Sequence, residues 1–245
     1  MFEVVTTFHQ EKHNYFSDKM LETYDRFWSK EINLYAYVEK PKNNYNFGNN
    51  IKIINFDSIS EDFNFFEFNY KNREMLAPDN SYKYQAVRFA HKIYAIKSHL
   101  KNCKADYLIW LDSDIITINN VNTKFLKKFI NKDIYFSYLG RQYLNFHSEA
   151  GFMVFNLKNE FHLKFWNEIS KMYDNGKLFN EKEWHDSYIF DVVRSKLENE
   201  NMKCLNIPSL GLAKSKNVYE VLDNSLLGQS LKHLKGNRKS FVNNF

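Results

Sequence analysis

Proline and glycine are scarce here, with 3 and 7 residues in a chain of 245. That excludes collagen-like and Pro-rich composition, and it leaves no Gly/Ser linker at which to divide the chain. Cysteine is scarcer still. Cys103 and Cys204 form neither a metal-ligand spacing nor a disulfide framework, so a reduced, cytoplasmic setting is the simplest expectation. The chain opens on an apolar, β-branched stretch (Phe2–Phe8), with no basic region leading into a leader-like apolar core, and no signal peptide is expected. No apolar run reaches the length of a membrane span. Arginine is sparse, and Arg26, Arg73, Arg88, Arg141, Arg194 and Arg238 do not cluster. A net charge of +5 spread over dispersed lysines speaks against a nucleic-acid grip. It is compatible with a mildly basic cleft for a phosphorylated substrate.

Aromatic residues, by contrast, make up 18% of the chain. They can fill a core or line a sugar- or base-binding cleft, so the count alone does not choose. The apolar periodicity alternates between period 2 and period 3.6. Strands are expected at Phe2–Phe8, Ile32–Val38, Ile51–Phe56, Tyr107–Leu111, Ile134–Leu139 and Phe152–Leu157. Helices are expected from Ser17 or Asp18 to Trp28, over Tyr84–Leu100 with Ser81 as a cap, and at Phe161–Tyr173 and Asp186–Leu197. Asp174-Asn175-Gly176 reads as a turn. Residues 58–82 read as irregular, and Leu231–Phe245 as a short, basic, irregular tail. Strand–helix alternation implies one α/β domain with a mostly parallel sheet flanked by helices.

The strongest chemical signal is Tyr107-Leu108-Ile109-Trp110-Leu111 running directly into Asp112-Ser113-Asp114. A fully apolar strand is a central, buried one. Its carboxyl end opens on the crevice where open α/β sheets bind ligands. Alternate residues of an extended segment share a face, so both carboxylates can converge on one hard divalent cation that bridges to phosphate oxygens. Read blandly, the same residues are a solvated turn after a strand. A second signal is His233-Leu234-Lys235-Gly236-Asn237-Arg238-Lys239, which alone would be an ordinary basic surface tail. Beside the carboxylate pair it offers a neutral nitrogen ligand in His233, close backbone approach at Gly236 and a point charge for a diphosphate in Lys239.

Together, the apolar strand, the Asp-x-Asp and the late His-x-x-Gly-x-x-Lys resemble the GT-A fold glycosyltransferases, especially the glycogenin-like and lipopolysaccharide galactosyltransferase-like group. The resemblance covers most of the chain in the right order, although Ser240-Phe241 replaces the Pro-Trp that often follows the lysine. It implies a single domain over 1–245, with a nucleotide-binding half (1–114), an acceptor and sugar half (115–230) and a tail (231–245) that closes on the diphosphate. It also implies Mn²⁺ (or Mg²⁺) held by Asp112, Asp114 and His233, with Lys239 on phosphate.

By the same analogy, Thr6, Thr7 and Phe8 at the end of the first strand, Glu39 at the end of the second, and Ser113 would hold the nucleotide. Arg88 and Lys92 share one face of the long helix and would point at the donor or at the first Asp. Gly151, in Ser148-Glu149-Ala150-Gly151, would let the sugar approach the backbone. Asp186 would take an acidic sugar-binding role, or would only cap its helix. His185 reads as structural, and Arg141 as a surface residue or an acceptor contact.

The implied reaction is sugar transfer from a nucleotide sugar, a UDP-sugar by resemblance, to a glycan, lipid-linked or protein acceptor. The late histidine and lysine favour the retaining course. An inverting enzyme would need a carboxylate base, for which Asp186 and Glu149 are the candidates. Two alternatives stand beside this reading. One is a haloacid-dehalogenase-like phosphatase with Asp112 as nucleophile, and the other a non-catalytic nucleotide-sugar-binding protein.

Overall fold

The computed structural model describes residues 1–41, 45–59, 61–210 and 215–235, apart from the side chains of residues 12–14. The first strand, β1 (Phe2–His9), leads into α1 (Gln10–Phe27), and β2 (Asn33–Glu39) and β3 (Ile51–Asn55) follow. Next come α2 (Glu61–Tyr70), α3 (Ala86–Leu100), β4 (Tyr107–Leu111), the short β5 (Ile115–Thr117) and α4 (Thr123–Leu126). The second half holds β6 (Phe136–Leu139), β7 (Glu149–Asn156), α5 (Phe161–Tyr173), α6 (Asp186–Glu198), β8 (Cys204–Asn206) and β9 (Leu231–His233).

Seven strands form one sheet in the order β3-β2-β1-β4-β7-β6-β8. Every pairing is parallel except the two made by β7, which runs antiparallel to both β4 and β6. The mostly parallel α/β sheet expected from the alternation is therefore what forms. The core divides into two layers, one on each face of the sheet. One gathers α2, α3, α5 and α6 residues such as Phe66, Ile93, Phe165 and Phe190; the other gathers α1 residues such as Leu21 and Tyr24 with Leu222 and Leu231. That is the way a sheet buried on both faces must be covered. β4 sits at the centre, and four of its five residues are buried.

Three local expectations are corrected. α1 begins at Gln10, well before Ser17, because Gln10 Nε2 donates to Asp18 Oδ1 at 3.1 Å and Ser17 is buried mid-helix. Residues 61–70 are helical rather than irregular: Phe63 and Phe66, three apart, bury one face, while Phe65 and Phe68 stay exposed and blur the periodicity. The start of the tail is not irregular either. β9 pairs antiparallel with β5 in a separate ribbon, with Leu231 and Leu234 buried.

Candidate functional site

The site grows from the end of β4. As the strand leaves the sheet, Asp112 N–H donates to Gly151 O on β7 at 2.8 Å, and Ile115 N–H closes back on Asp112 O at 3.0 Å. This tight return directs both carboxylates of Asp112-Ser113-Asp114 into one cleft of about 1060 Å³. β5 begins at the next residue and pairs with β9, opposing Ile115 to His233. Leu234 N–H donates to Asp114 O at 2.9 Å, and His233 N–H to Asp223 Oδ1 at 3.0 Å. The imidazole therefore arrives over Asp114 across 119 residues of sequence, with Nε2 at 2.9 Å from Asp114 Oδ1. One ligand-capable atom from each of Asp112, Asp114 and His233 lies within 4.8 Å of the other two. Two carboxylates and an imidazole form a donor set that could hold a divalent metal ion. The residues the sequence nominated as ligands thus meet. Glu3-His99-Cys103 and His147-Glu183-His185 also cluster, but neither stands at the carboxyl end of the central strand.

Lys92 stands behind the carboxylates. It is buried, and its ammonium donates to Ala150 O at 2.8 Å, lies 3.1 Å from Asp112 Oδ1 and forms an ion pair with Asp186 Oδ2. Burial alone would lower its pKa, but Asp112 and Asp186 outweigh that and raise it, so the ammonium stays charged. Asp186 is buried too. Its desolvation is overcome by Lys92, which holds the carboxyl below the usual range. Asp112 Oδ1 also accepts from Trp110 Nε1 at 2.6 Å. Arg88, by contrast, is an exposed residue of the cleft rim and donates to Gln85 Oε1 at 3.1 Å.

Glu149 is fully buried on β7, with one oxygen bonded to His233 Nδ1 and 3.5 Å from Lys235 Nζ. Its desolvation would raise the pKa, but Lys235 and His233 pull it down to about 2. Conversely, His233 is raised: burial and Lys235 oppose its charge, and Asp114 with Glu149 prevail. Gly151 faces the same ring. A Cβ built there would stand 2.5 Å from His233 Cε1.

At the far end of the cleft, Thr7 and Phe8 on β1 and Glu39 on β2 line the wall, with His9 beside them. Thr7 Oγ1 donates to Tyr37 O at 2.7 Å, and Glu39 Oε2 lies 3.3 Å from His91 Nε2. Thr6 alternates to the other face, is fully buried and does not line the cleft. Ser113 lines it. Gly236 and Lys239 lie outside the described residues.

Two further readings change. His185, rather than Asp186, caps α6, since its ring nitrogen accepts Tyr188 N–H at 3.4 Å. Arg141 is not a surface residue, although it does line the cleft. It is buried, and it spends its guanidinium on the carbonyls of His147, Ser148 and Val218. Sequence reasoning missed His9, Tyr82, Phe89 and Tyr219, which also line the cleft. Tyr82 and Phe89 carried a signal only in their place, just before the long helix and in its first turns; the others carried none.

No protein-family model and no curated protein matches the sequence. Solved structures do match its fold. Mouse xyloside xylosyltransferase 1 superposes with a TM-score of 0.53 at 11% identity, covering 96% of this chain and 97% of its own. A glycosyltransferase involved in glycosylating the major capsid of PBCV-1 gives 0.50 at 13% identity, over 100% and 99% of the two chains. An active-site mutant of LgtC gives 0.50 at 13% identity, over 96% and 87%. The fold of this chain is therefore the one those glycosyltransferases share.

Proposed function

We propose that this protein is a metal-dependent glycosyltransferase that takes a sugar from a nucleoside diphosphate sugar, a UDP-sugar in the first instance, and transfers it with retention to a hydroxyl acceptor. One observation carries the reading. Asp112, Asp114 and His233 come from the end of β4 and from β9, and they bring ligand atoms within 4.8 Å of one another, the two aspartates lining the cleft and the histidine buried beside them. Position agrees with chemistry, since this is the carboxyl end of the central strand of an α/β sheet. The shared fold supports the same class.

In this reading Asp112, Asp114 and His233 would hold Mn²⁺ or Mg²⁺. The ion would act as a Lewis acid that neutralises charge developing on the departing diphosphate. Lys92 fixes the position of Asp112, because three acceptors, Asp112 Oδ1 among them, hold its ammonium. Thr7, Phe8 and Glu39 would receive the base and ribose, Arg88 the donor at the rim, and Gly236 with Lys239 the diphosphate. Asp186 faces the cleft from the first turn of α6 and, held by Lys92, would orient the transferred sugar.

Retention is favoured by the state of the two carboxylates. A general base works best with a pKa near the operating pH. Asp186 is tied to Lys92 and Glu149 to His233 and Lys235, and both are held low, which makes them poor bases. A phosphatase reading draws no support from the fold. The deciding experiment incubates the protein with a panel of sugar nucleotides, with and without Mn²⁺. Mn²⁺-dependent release of the nucleoside diphosphate is expected. Release of phosphate from a phosphomonoester, with none from any sugar nucleotide, would reverse the assignment.

A further inference from the structure

His233 sits in a seat built by β7. Glu149 and Gly151 are alternate residues of one strand, so they face the same side of the sheet. Glu149 supplies a carboxylate oxygen to His233 Nδ1. Gly151 supplies space: a Cβ there would fall 2.5 Å from Cε1 and 2.9 Å from Nδ1 of the imidazole, and 3.2 Å from Ile115 Cδ1. Ala150, between them, sends its carbonyl to Lys92 on the other side. Three consecutive residues thus serve two faces of the site. The imidazole itself is completely buried.

Burying a carboxylate is costly unless its charge is used. Glu149 is fully buried, and its Oε2 has no hydrogen-bond partner among the described residues. A residue serving only to pack β7 would not need this charge. A buried acceptor on Nδ1 does have a specific effect. It fixes the plane of the ring and turns Nε2 away from β7 toward Asp114, and once a cation displaced the Nε2 proton it would hold the remaining proton on Nδ1.

The geometry points to Glu149 and Gly151 as the positioning residues for the metal ligand His233: a carboxylate that sets the tautomer and a glycine that makes room for the ring. The inference rests on the metal-dependent reading above and deepens it. It also gives both residues a different task from those the sequence implied. Glu149 orients a ligand instead of deprotonating an acceptor, and Gly151 admits the histidine instead of the sugar.

The test measures Mn²⁺ affinity on the full chain without nucleotide, by electron paramagnetic resonance titration. Glu149→Ala is expected to weaken binding about 10- to 100-fold, the usual effect of removing the partner of a ligating histidine. Glu149→Gln should restore most of it, since an amide oxygen still accepts from Nδ1–H. Gly151→Ala should weaken binding as much as His233→Ala does, and it should add nothing further in the His233→Ala background, because the two changes act on one ring. A thermal melt gives a readout that needs no metal: Gly151→Ala should lower Tm in the unaltered chain and much less beside His233→Ala, where the clash is gone. If Glu149→Ala does not fold, Glu149→Gln and the Gly151 cycle still decide. Should Asp114→Asn lose Mn²⁺ while the Glu149 and Gly151 variants bind it like the unaltered chain, the positioning role fails and the glycosyltransferase reading stands. Should the unaltered chain bind no Mn²⁺, both fail.

Discussion

Lys92 and Asp186 form a buried ion pair that reaches out of the core to touch Asp112 Oδ1 at 3.1 Å. The pair links α3 and α6 to the end of β4, so the helices that cover one face of the sheet also set the charge of the site. Removing the cation strands a buried carboxylate. Lys92→Met is therefore expected to cost about 3–5 kcal/mol in chemical denaturation. Adding Asp186→Asn should recover part of that loss. Additive losses in the double variant would show that the two residues do not act as a pair.

The metal shell gives a second expectation. Asp114→Asn keeps the shape of the side chain and removes one anionic ligand. Sugar-nucleotide cleavage should vanish while the chain still folds, because Asp114 is partly exposed at a strand end. In the unaltered protein, chelation should abolish turnover and added Mn²⁺ should restore it. Full turnover in excess chelator would remove the metal from the mechanism.

The pKa shifts give a pH dependence with two opposite signs. Glu149 is depressed in the folded chain, to about 2. Its contribution to stability is present above the unfolded carboxyl pKa of about 4.3 and is lost as pH falls toward the folded value. His233 is raised, so its contribution is complete below its unfolded pKa of about 6.5 and fades as pH climbs through the folded value. Urea melts in chelator should therefore show an acid limb that Glu149→Gln flattens. Metal binding runs the other way from the histidine effect, because a ligating nitrogen must be deprotonated. Mn²⁺ affinity should rise from pH 6 to pH 8, with a proton released on binding. Affinity that is flat over that range would argue against His233 as a ligand.

The nucleotide end can be tested separately. Glu39 lines the cleft at the end of β2 beside His91. If it holds the ribose, Glu39→Ala should weaken UDP binding by roughly tenfold, the lower range for losing a charge-assisted hydrogen bond. Mn²⁺ affinity without nucleotide should not move. Calorimetry with UDP, and with Mn²⁺ alone, separates the two outcomes.

Where the chain is cut should matter sharply. Leu231, His233 and Leu234 are buried and β9 pairs with β5, so a chain ended after Ser230 should be destabilised and lose Mn²⁺ binding together. A chain ended after Lys235 should keep its Tm and its Mn²⁺ affinity. If Lys239 holds the diphosphate, that same chain should bind UDP about ten- to a hundred-fold more weakly. Equal UDP affinity would assign the last residues no part in the donor site.

Local pattern was enough for β1 to β4, β6 and β7, because apolar runs such as Tyr107–Leu111 have one environment in which they are stable, a sheet covered on both faces, but it missed the three-residue strands β5, β8 and β9. It was enough for α5, whose residues keep helical spacing throughout. It failed for α2, where exposed aromatics stand beside buried ones, and for the first turns of α1, which are polar and held by side-chain hydrogen bonds. The carboxylate pair was legible because its chemistry follows from where an apolar strand ends. Lys92 was expected beside the donor or the first aspartate and lies beside Asp112; tertiary structure alone decided its pairing with Asp186 and the placement of Glu149 and Gly151 against the imidazole. Each depends on a partner brought from a distant segment: His233 by the β5–β9 ribbon, Asp186 by the start of α6. A carboxylate inside a strand could face solvent, and a glycine could serve a turn. Only the packed imidazole settles that one is a buried acceptor and the other the space the ring occupies, because burial and contact are properties of the assembled sheet and not of the residues that enter it.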